Sequence, residues 1–397
     1  MWRLGFFFHE MGFGLLSIFL PLHMVAVGGS LVDIGIMSAT ALLLAIPASY
    51  FWGYMCDKMR RYKRFILLSF LASVIILYLF TLTNSVSLLI VLYAAMSVLH
   101  VAHEAPKNVL IAESYSRLDW EKSFAHYEGF TETGWLIGLV LGFFASAYGL
   151  GTSALLICSV LNLAGFGLSL VLVADPMLVF ERSLVSIEKS TDFAYHGAFL
   201  ASRILDGSTA TERLTKENLT AFCGGLALFS LATSILFTPM PIFVSDVVKA
   251  ASLPASFVFA IFVLNSGGGV FGYFLAGNQS NQGAERPKIG RIVIFRSLLS
   301  LLLATLWTFS AYTVPVVTTI LILLGFANAV FLVHALSLSM ELIPAGKAGL
   351  FNVLIGIGGA CGSFVGPFIA QNFGFLYVFI VACLIFFAAY VAFKIFA

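Results

Sequence analysis

Apolar stretches of about 20 residues, separated by short polar clusters, recur along the whole 397-residue chain. Each is long enough to cross a hydrocarbon core of about 30 Å as a helix. Reading outward from turn and charge clusters predicts twelve spans, at 4–27, 31–52, 64–83, 86–112, 123–147, 152–173, 218–245, 254–276, 290–311, 314–340, 348–371 and 374–395, here span 1 to span 12. Breakers mark the junctions: Gly28-Gly29-Ser30, Asn84-Ser85, Gly149-Leu150-Gly151, and Gly374 after Gln371-Asn372.

Composition points the same way. The chain is 60% hydrophobic and 10% charged, with mean hydropathy +1.02, whereas soluble domains use about 45–50% apolar residues. An all-α, polytopic membrane protein is expected. Span 1 holds His9 and Glu10 and is too long for a signal-peptide core, which predicts a retained helix. The cysteines, Cys56, Cys158, Cys223, Cys361 and Cys383, show neither metal-type spacing nor a disulfide framework. A net charge of +2 gives no reason to expect a nucleic acid partner.

The placement of basic residues predicts an orientation. With both termini cytoplasmic, all but three of the 21 lysines and arginines fall on the inner side of a plasma membrane protein. Lys107 and Arg296 lie within spans, and Lys249 falls outside. Arg296, near the inner end of span 9, is expected to snorkel to the interface. Six of the eight positions from Asp57 to Arg64 are charged, in a predicted loop between spans 2 and 3. Orientation accounts for that charge but not for the order of the residues.

The one long connection, 174–217, divides the chain into an amino-terminal six-helix bundle (1–173), a cytoplasmic linker and a carboxy-terminal six-helix bundle (218–397). Its segment "STDFAYHGAFLASRILDG" reads equally as an amphipathic helix on the inner face or as flexible linker. The halves echo each other at a fixed offset: Gly134, Gly138 and Gly142 in span 5 match Gly358, Gly362 and Gly366 in span 11. Glycine at every fourth position lets a neighbouring backbone approach. In a static bundle that is packing; repeated in matching helices, it predicts surfaces that slide or rock.

The segment "GYMCDKMRRYKR" resembles the loop 2–3 signature of the major facilitator superfamily. Gly53, Asp57, Lys58 and Arg61 fit it, while Arg60 stands where that family usually has a second glycine. "GGSLVDIG", Gly28 to Gly35, resembles the family's link between its first two helices. An arginine within span 4 and a proline after Gly142, found in many members, are missing. The resemblance implies two six-helix bundles around a central cavity, alternately opened by rocking one against the other. It also implies a gating latch, in which Asp57 faces the amino end of span 11 near Lys347 to Phe351. Lys58 and Arg61 would then meet Glu113 at the inner end of span 4.

Ionisable side chains inside spans are costly and mark candidate sites. His100, His103, Glu104 and Lys107 recur at three- and four-residue spacing along one face of span 4. Glu128 and Glu132 lie one turn apart on span 5, and span 1 adds His9 and Glu10. The second half offers Arg296, His334, Asn265 and Asn328. Carboxylates and imidazoles in a partly dry setting can take up and release protons. Proton coupling is expected through Glu128 or Glu132, with Glu104 and His103 as partners; alternatively, Lys107 neutralises these acids in a permanent network. His9, Glu10, His100, Lys107, Asn328 and His334 are expected to line the substrate cavity. Four acids against one lysine favour protons or a cationic substrate over an anion.

"HVAHE" and "FHEMGF" each begin like a zinc helix, but Lys107 and Phe13 stand where the second histidine is required. No metal centre is therefore expected, although His100, His103 and Glu104 leave a divalent metal open as cargo. P-loop, nucleophile-elbow and dinucleotide motifs are absent from the sequence. The leading expectation is a monomeric secondary transporter in the lipid bilayer, driven by a proton gradient without a cofactor. It would move a small organic solute, with export of lipophilic or cationic compounds placed first. A proton symporter or uniporter for a metabolite or divalent metal is the rival, and outside transport a membrane receptor or enzyme.

Overall fold

Polar backbone groups find no water in hydrocarbon, so a spanning chain must satisfy them within helices. A computed structural model describes residues 1–114, 120–175, 219–279, 289–305, 313–342 and 349–396, and within them every regular element is helical. Eleven described helices are long and apolar enough to span a membrane. Span 9 supplies the twelfth as Ile289–Thr305, whose expected continuation lies in 306–312, outside the described residues. Nearly all of the expected linker, including its candidate amphipathic helix, also lies outside them.

Two spans are interrupted where proline removes a ladder hydrogen bond. Span 4 runs Val86–His100, tightens into a 3-10 turn over Val101–His103 and resumes as Glu104–Ser114. Pro106 lies two residues into the resumed helix, where it has no N–H for the carbonyl of Ala102. The His100 carbonyl, beside the break, accepts from the Ser69 hydroxyl of span 3 at 2.9 Å. Span 7 is divided at Thr238-Pro239 into Leu219–Phe237 and Met240–Ala250, and reaches farther than its pattern predicts.

Span 2 corrects the expected loop. Leu31–Met59 is one helix, so Gly53, Asp57 and Lys58 occupy its final turns. Nothing in "WGYMCDKM" forces an earlier stop, because the helix can leave hydrocarbon and continue in water. It ends where Arg60 adopts φ 51° and returns its N–H to the Cys56 carbonyl. Arg61 precedes span 3, Tyr62–Thr81. Asp175, following span 6, accepts from the Lys63 N–H at 2.8 Å, a carboxylate at the positive end of span 3. At the other end of span 2, Ser30 and Asp33 form a reciprocal capping box. That box gives "GGSLVDIG" a local structural meaning.

Contacts within the first half join span 1 to spans 5 and 6, and span 3 to spans 4 and 6. The second half repeats this with span 7 on spans 11 and 12, and span 9 on spans 10 and 12. Spans 2 and 11, and spans 5 and 8, connect the halves.

The glycine stripes pack mostly within each half. A Cβ on Gly134 or Gly138 would overlap the backbone carbonyl of Phe7 or Met11 in span 1. One on Gly358, Gly362 or Gly366 would overlap that of Ala227, Leu231 or Ile235 in span 7. These five glycines therefore seal close approaches inside each half. Gly142 alone of the six turns across the halves, against the Phe259 ring of span 8.

Substitution at Gly362 should act through this backbone contact. Gly362→Val is expected to lower stability by about 1–3 kcal/mol, the cost of overpacking. Gly53 meets open space, so Gly53→Ala should preserve stability or add about 0.5–1 kcal/mol of helix propensity. Thermal melts in one detergent compare them; equal losses would contradict the packing difference.

Candidate functional site

The break in span 4 turns His103 inward, where it is 1% exposed, beside the fully buried His9 of span 1. Asn162 of span 6 is oriented by donating Nδ2 to the Cys158 carbonyl at 2.9 Å. Its Oδ1 then lies 2.6 Å from His9 Nδ1, so that ring nitrogen donates. His9 Nε2 in turn is 3.2 Å from His100 Nδ1. Phe70 stacks on His9 with centroids 4.1 Å apart, and Phe6 packs edge-on to His103. Four spans thus enclose one polar cluster in apolar walls.

Charge enters where the cluster meets span 5. His103 Nε2 is 3.3 Å from Glu104 Oε1, and Lys107 Nζ is 2.7 Å from Glu104 Oε2. The same ammonium is 4.0 Å from Glu128 Oε1 and 6.0 Å from the Tyr127 ring centroid. Lys107 thereby lies within ion-pair distance of two of the four acids. Glu10 and Glu132 have no cation within ion-pair distance among the described residues. Glu132 instead accepts from the Ser266 hydroxyl of span 8 at 2.6 Å, across the two halves.

The second half has a different hub. Arg296 is completely buried and does not snorkel. Its guanidinium lies 4.7 Å and 4.9 Å from the ring centroids of Phe229 and Phe386, and Nη1 donates to Asn328 Oδ1. The aromatic faces and the amide offset part of the lost hydration, while Nε and Nη2 find no hydrogen-bond partner among the described residues. Asn328 is thereby tied to this hub. Asn265 donates to the Leu321 carbonyl at 2.6 Å, joining span 8 to span 10. His334 is partly exposed on span 10.

The two hubs occupy matching places. The close approaches of span 1 to span 5 and of span 7 to span 11 pair Phe7 with Ala227 and Met11 with Leu231. That register sets His9 against Phe229, and the span 5/11 offset sets Asn162 against Phe386 and Glu104 against Asn328. Each half thus holds one polar knot, built from unrelated side chains.

Ser69, Asn162 and Ser266 were not anticipated from the sequence. Asn162 carried a usable signal, as a lone amide in an apolar span; the serines carried none, since serine is ordinary in membrane helices. Lys58 is exposed, its Nζ 5.8 Å from the Tyr54 ring centroid, and Arg61 is exposed. The side chains of Asp57 and Glu113, and residues 343–348, lie outside the described residues, so the latch pairing does too.

The sequence profile described as the Major Facilitator Superfamily matches residues 4–352. Among curated proteins none matches. Among solved structures, a point mutant of the nucleoside transporter NupG is similar over 100% of both chains, with 14% identity and a TM-score of 0.71. Another NupG structure gives 15% identity and a TM-score of 0.70 over 100% of this chain and 98% of the other. At such identity the likeness concerns the fold alone.

The Lys107 network should behave as one unit. Lys107→Met is expected to lower the melting temperature by stranding two carboxylates, and Glu104→Gln should recover part of the loss in the double variant. A double-mutant cycle should give a coupling of about 0.5–3 kcal/mol. Simple additivity would show that the residues act independently.

Proposed function

The chain belongs to the Major Facilitator Superfamily and is an integral membrane transporter, not an enzyme; from that premise we propose that it carries a small organic solute, coupled to protons through Glu132. The observation behind this reading is the bond from Ser266 to Glu132 across the halves. A carboxylate at the seam makes different contacts in each arrangement of the bundles. Its proton affinity can therefore differ between arrangements, and such a difference is what lets a proton bias their populations. Glu104 and Glu128 share a fixed counter-charge in Lys107, which suits them to holding the network together.

A solute with a positive charge or several hydrogen-bond donors fits the acid-rich seam. Among the compounds expected from the sequence, this favours cationic over purely lipophilic ones. A neutral, hydrogen-bonding solute such as a nucleoside suits the same chemistry, and the NupG resemblance in fold is a reason to test one. The driving force in this reading is the proton gradient, with no cofactor.

The test uses liposomes containing the purified protein and a trapped pH dye. Organic cations, amphiphiles, nucleosides, sugars, organic acids and divalent metals would be added in turn. The expected result is proton movement stimulated by one solute class. Glu132→Gln should then abolish proton movement while sparing exchange of solute for solute. Solute flux without proton movement, and insensitive to Glu132→Gln, would refute the coupling.

The proposed latch makes a separate prediction. Asp57→Asn should shift the resting population toward the inward-open state, lowering the reactivity of cysteines introduced on the outer side of the cavity. Unchanged labelling rates would count against a latch at Asp57.

A further inference from the structure

A neutral histidine has one ring proton, and that count leaves a gap beside His103. Ser69 gives its hydroxyl proton to the His100 carbonyl, so its oxygen accepts from His103 Nδ1 at 3.0 Å. His103 Nε2 then carries a lone pair and faces Glu104 Oε1 at 3.3 Å. Two acceptors in that position call for a positive species between them. On the neighbouring ring, Asn162 ties up Nδ1 of His9, leaving Nε2 directed toward His100. One ring nitrogen from each of His9, His100 and His103 lies within 4.8 Å of the others.

From this arrangement we propose that His9, His100, His103 and Glu104 bind a divalent transition-metal ion of the Zn²⁺ type, linking span 1 to the broken span 4. Ligand bonds of about 2.0–2.1 Å in a tetrahedron place neighbouring donor atoms about 3.3 Å apart. His9 Nε2 and His100 Nδ1 are separated by 3.2 Å, and His103 Nε2 and Glu104 Oε1 by 3.3 Å. The three histidine nitrogens already lie within 4.8 Å of one another; closing on one centre takes ring rotation together with a swing of the Glu104 carboxylate, which stands outside that group. The outer nitrogens already have the partners that zinc-binding histidines need: Asn162 for His9 and Ser69 for His103. Glu104 supplies negative charge to offset the ion, and keeps Lys107 on its second oxygen. Imidazole-rich sites favour zinc, cobalt and copper over magnesium and calcium.

The probe is Co²⁺ added to the purified full chain in detergent, followed by Zn²⁺. The expected result is the intense visible absorption of tetrahedral Co²⁺ at one ion per chain, erased by Zn²⁺ and accompanied by proton release. Asn162→Ala should weaken binding by about 10–100-fold. His9 and Asn162 are buried, so His100→Gln, at a partly exposed position, is the working ligand variant and should abolish the tetrahedral bands. Melting curves confirm that each variant is folded. A wild-type spectrum of weak octahedral bands, or tetrahedral bands unchanged in folded His100→Gln, would overturn the proposal. In the first case a proton on His103 fills the gap.

Discussion

Lys107 is the one lysine in the cluster that also holds Glu10, Glu104, Glu128 and Glu132, and much of the surrounding geometry depends on where its ammonium sits. Held 2.7 Å from Glu104 and 4.0 Å from Glu128, it fastens the resumed part of span 4 to span 5. Breaking a span costs backbone hydrogen bonds in a medium that offers no replacement. The Pro106 break is sustained because Ser69 occupies the His100 carbonyl and the ion pair anchors the helix beyond it. His103 enters the bundle as a result, and the polar chain to His9 and Asn162 is completed.

The second half meets the same constraint with other chemistry. Its knot is an arginine between phenylalanine faces, where the first half has an imidazole stacked on Phe70. Backbone geometry is shared, as the repeated glycine approaches of span 5 to span 1 and span 11 to span 7 make plain. Side-chain chemistry is not shared, and Glu10, Glu104, Glu128 and Glu132 all belong to the first half. In the proposed coupling the proton-handling acid lies in the first half, while the second contributes Ser266 as the facing donor.

Much of this was legible in sequence because hydrocarbon thickness imposes span length and glycine spacing imposes close approach. The cluster on spans 1, 4 and 5 stood out for the same reason, since each charge is conspicuous among apolar neighbours. Three features were hidden. Arg296 could as well have reached the interface, and what keeps it inside, the rings of Phe229 and Phe386 and the Asn328 amide, is distant in sequence. The glycine pattern fixed a bare face without saying which helix would cover it, and that needed the approach of span 1 to span 5 and of span 7 to span 11. The end of span 2 was placed too early because charged residues can prolong a helix beyond the membrane as well as end it.

Two described hydrogen bonds cross between the halves: Ser266 to Glu132, and the Val32 N–H to Gln371 Oε1 at 2.9 Å. The second sits beside the Ser30–Asp33 cap, where span 2 begins against the end of span 11. The seams around them are smooth: Gly35 lies against the backbone of Ser363 and Phe364, Gly359 near Leu42, and Gly142 against Phe259. A neutral hydrogen bond contributes only about 0.5–1.5 kcal/mol net, so parting either contact slows the exchange of arrangements by roughly tenfold at most. In the proposed rocking cycle these two bonds therefore set only a low threshold for parting the seams, and what remains to be overcome is the packing of span 5 on span 8 and span 2 on span 11.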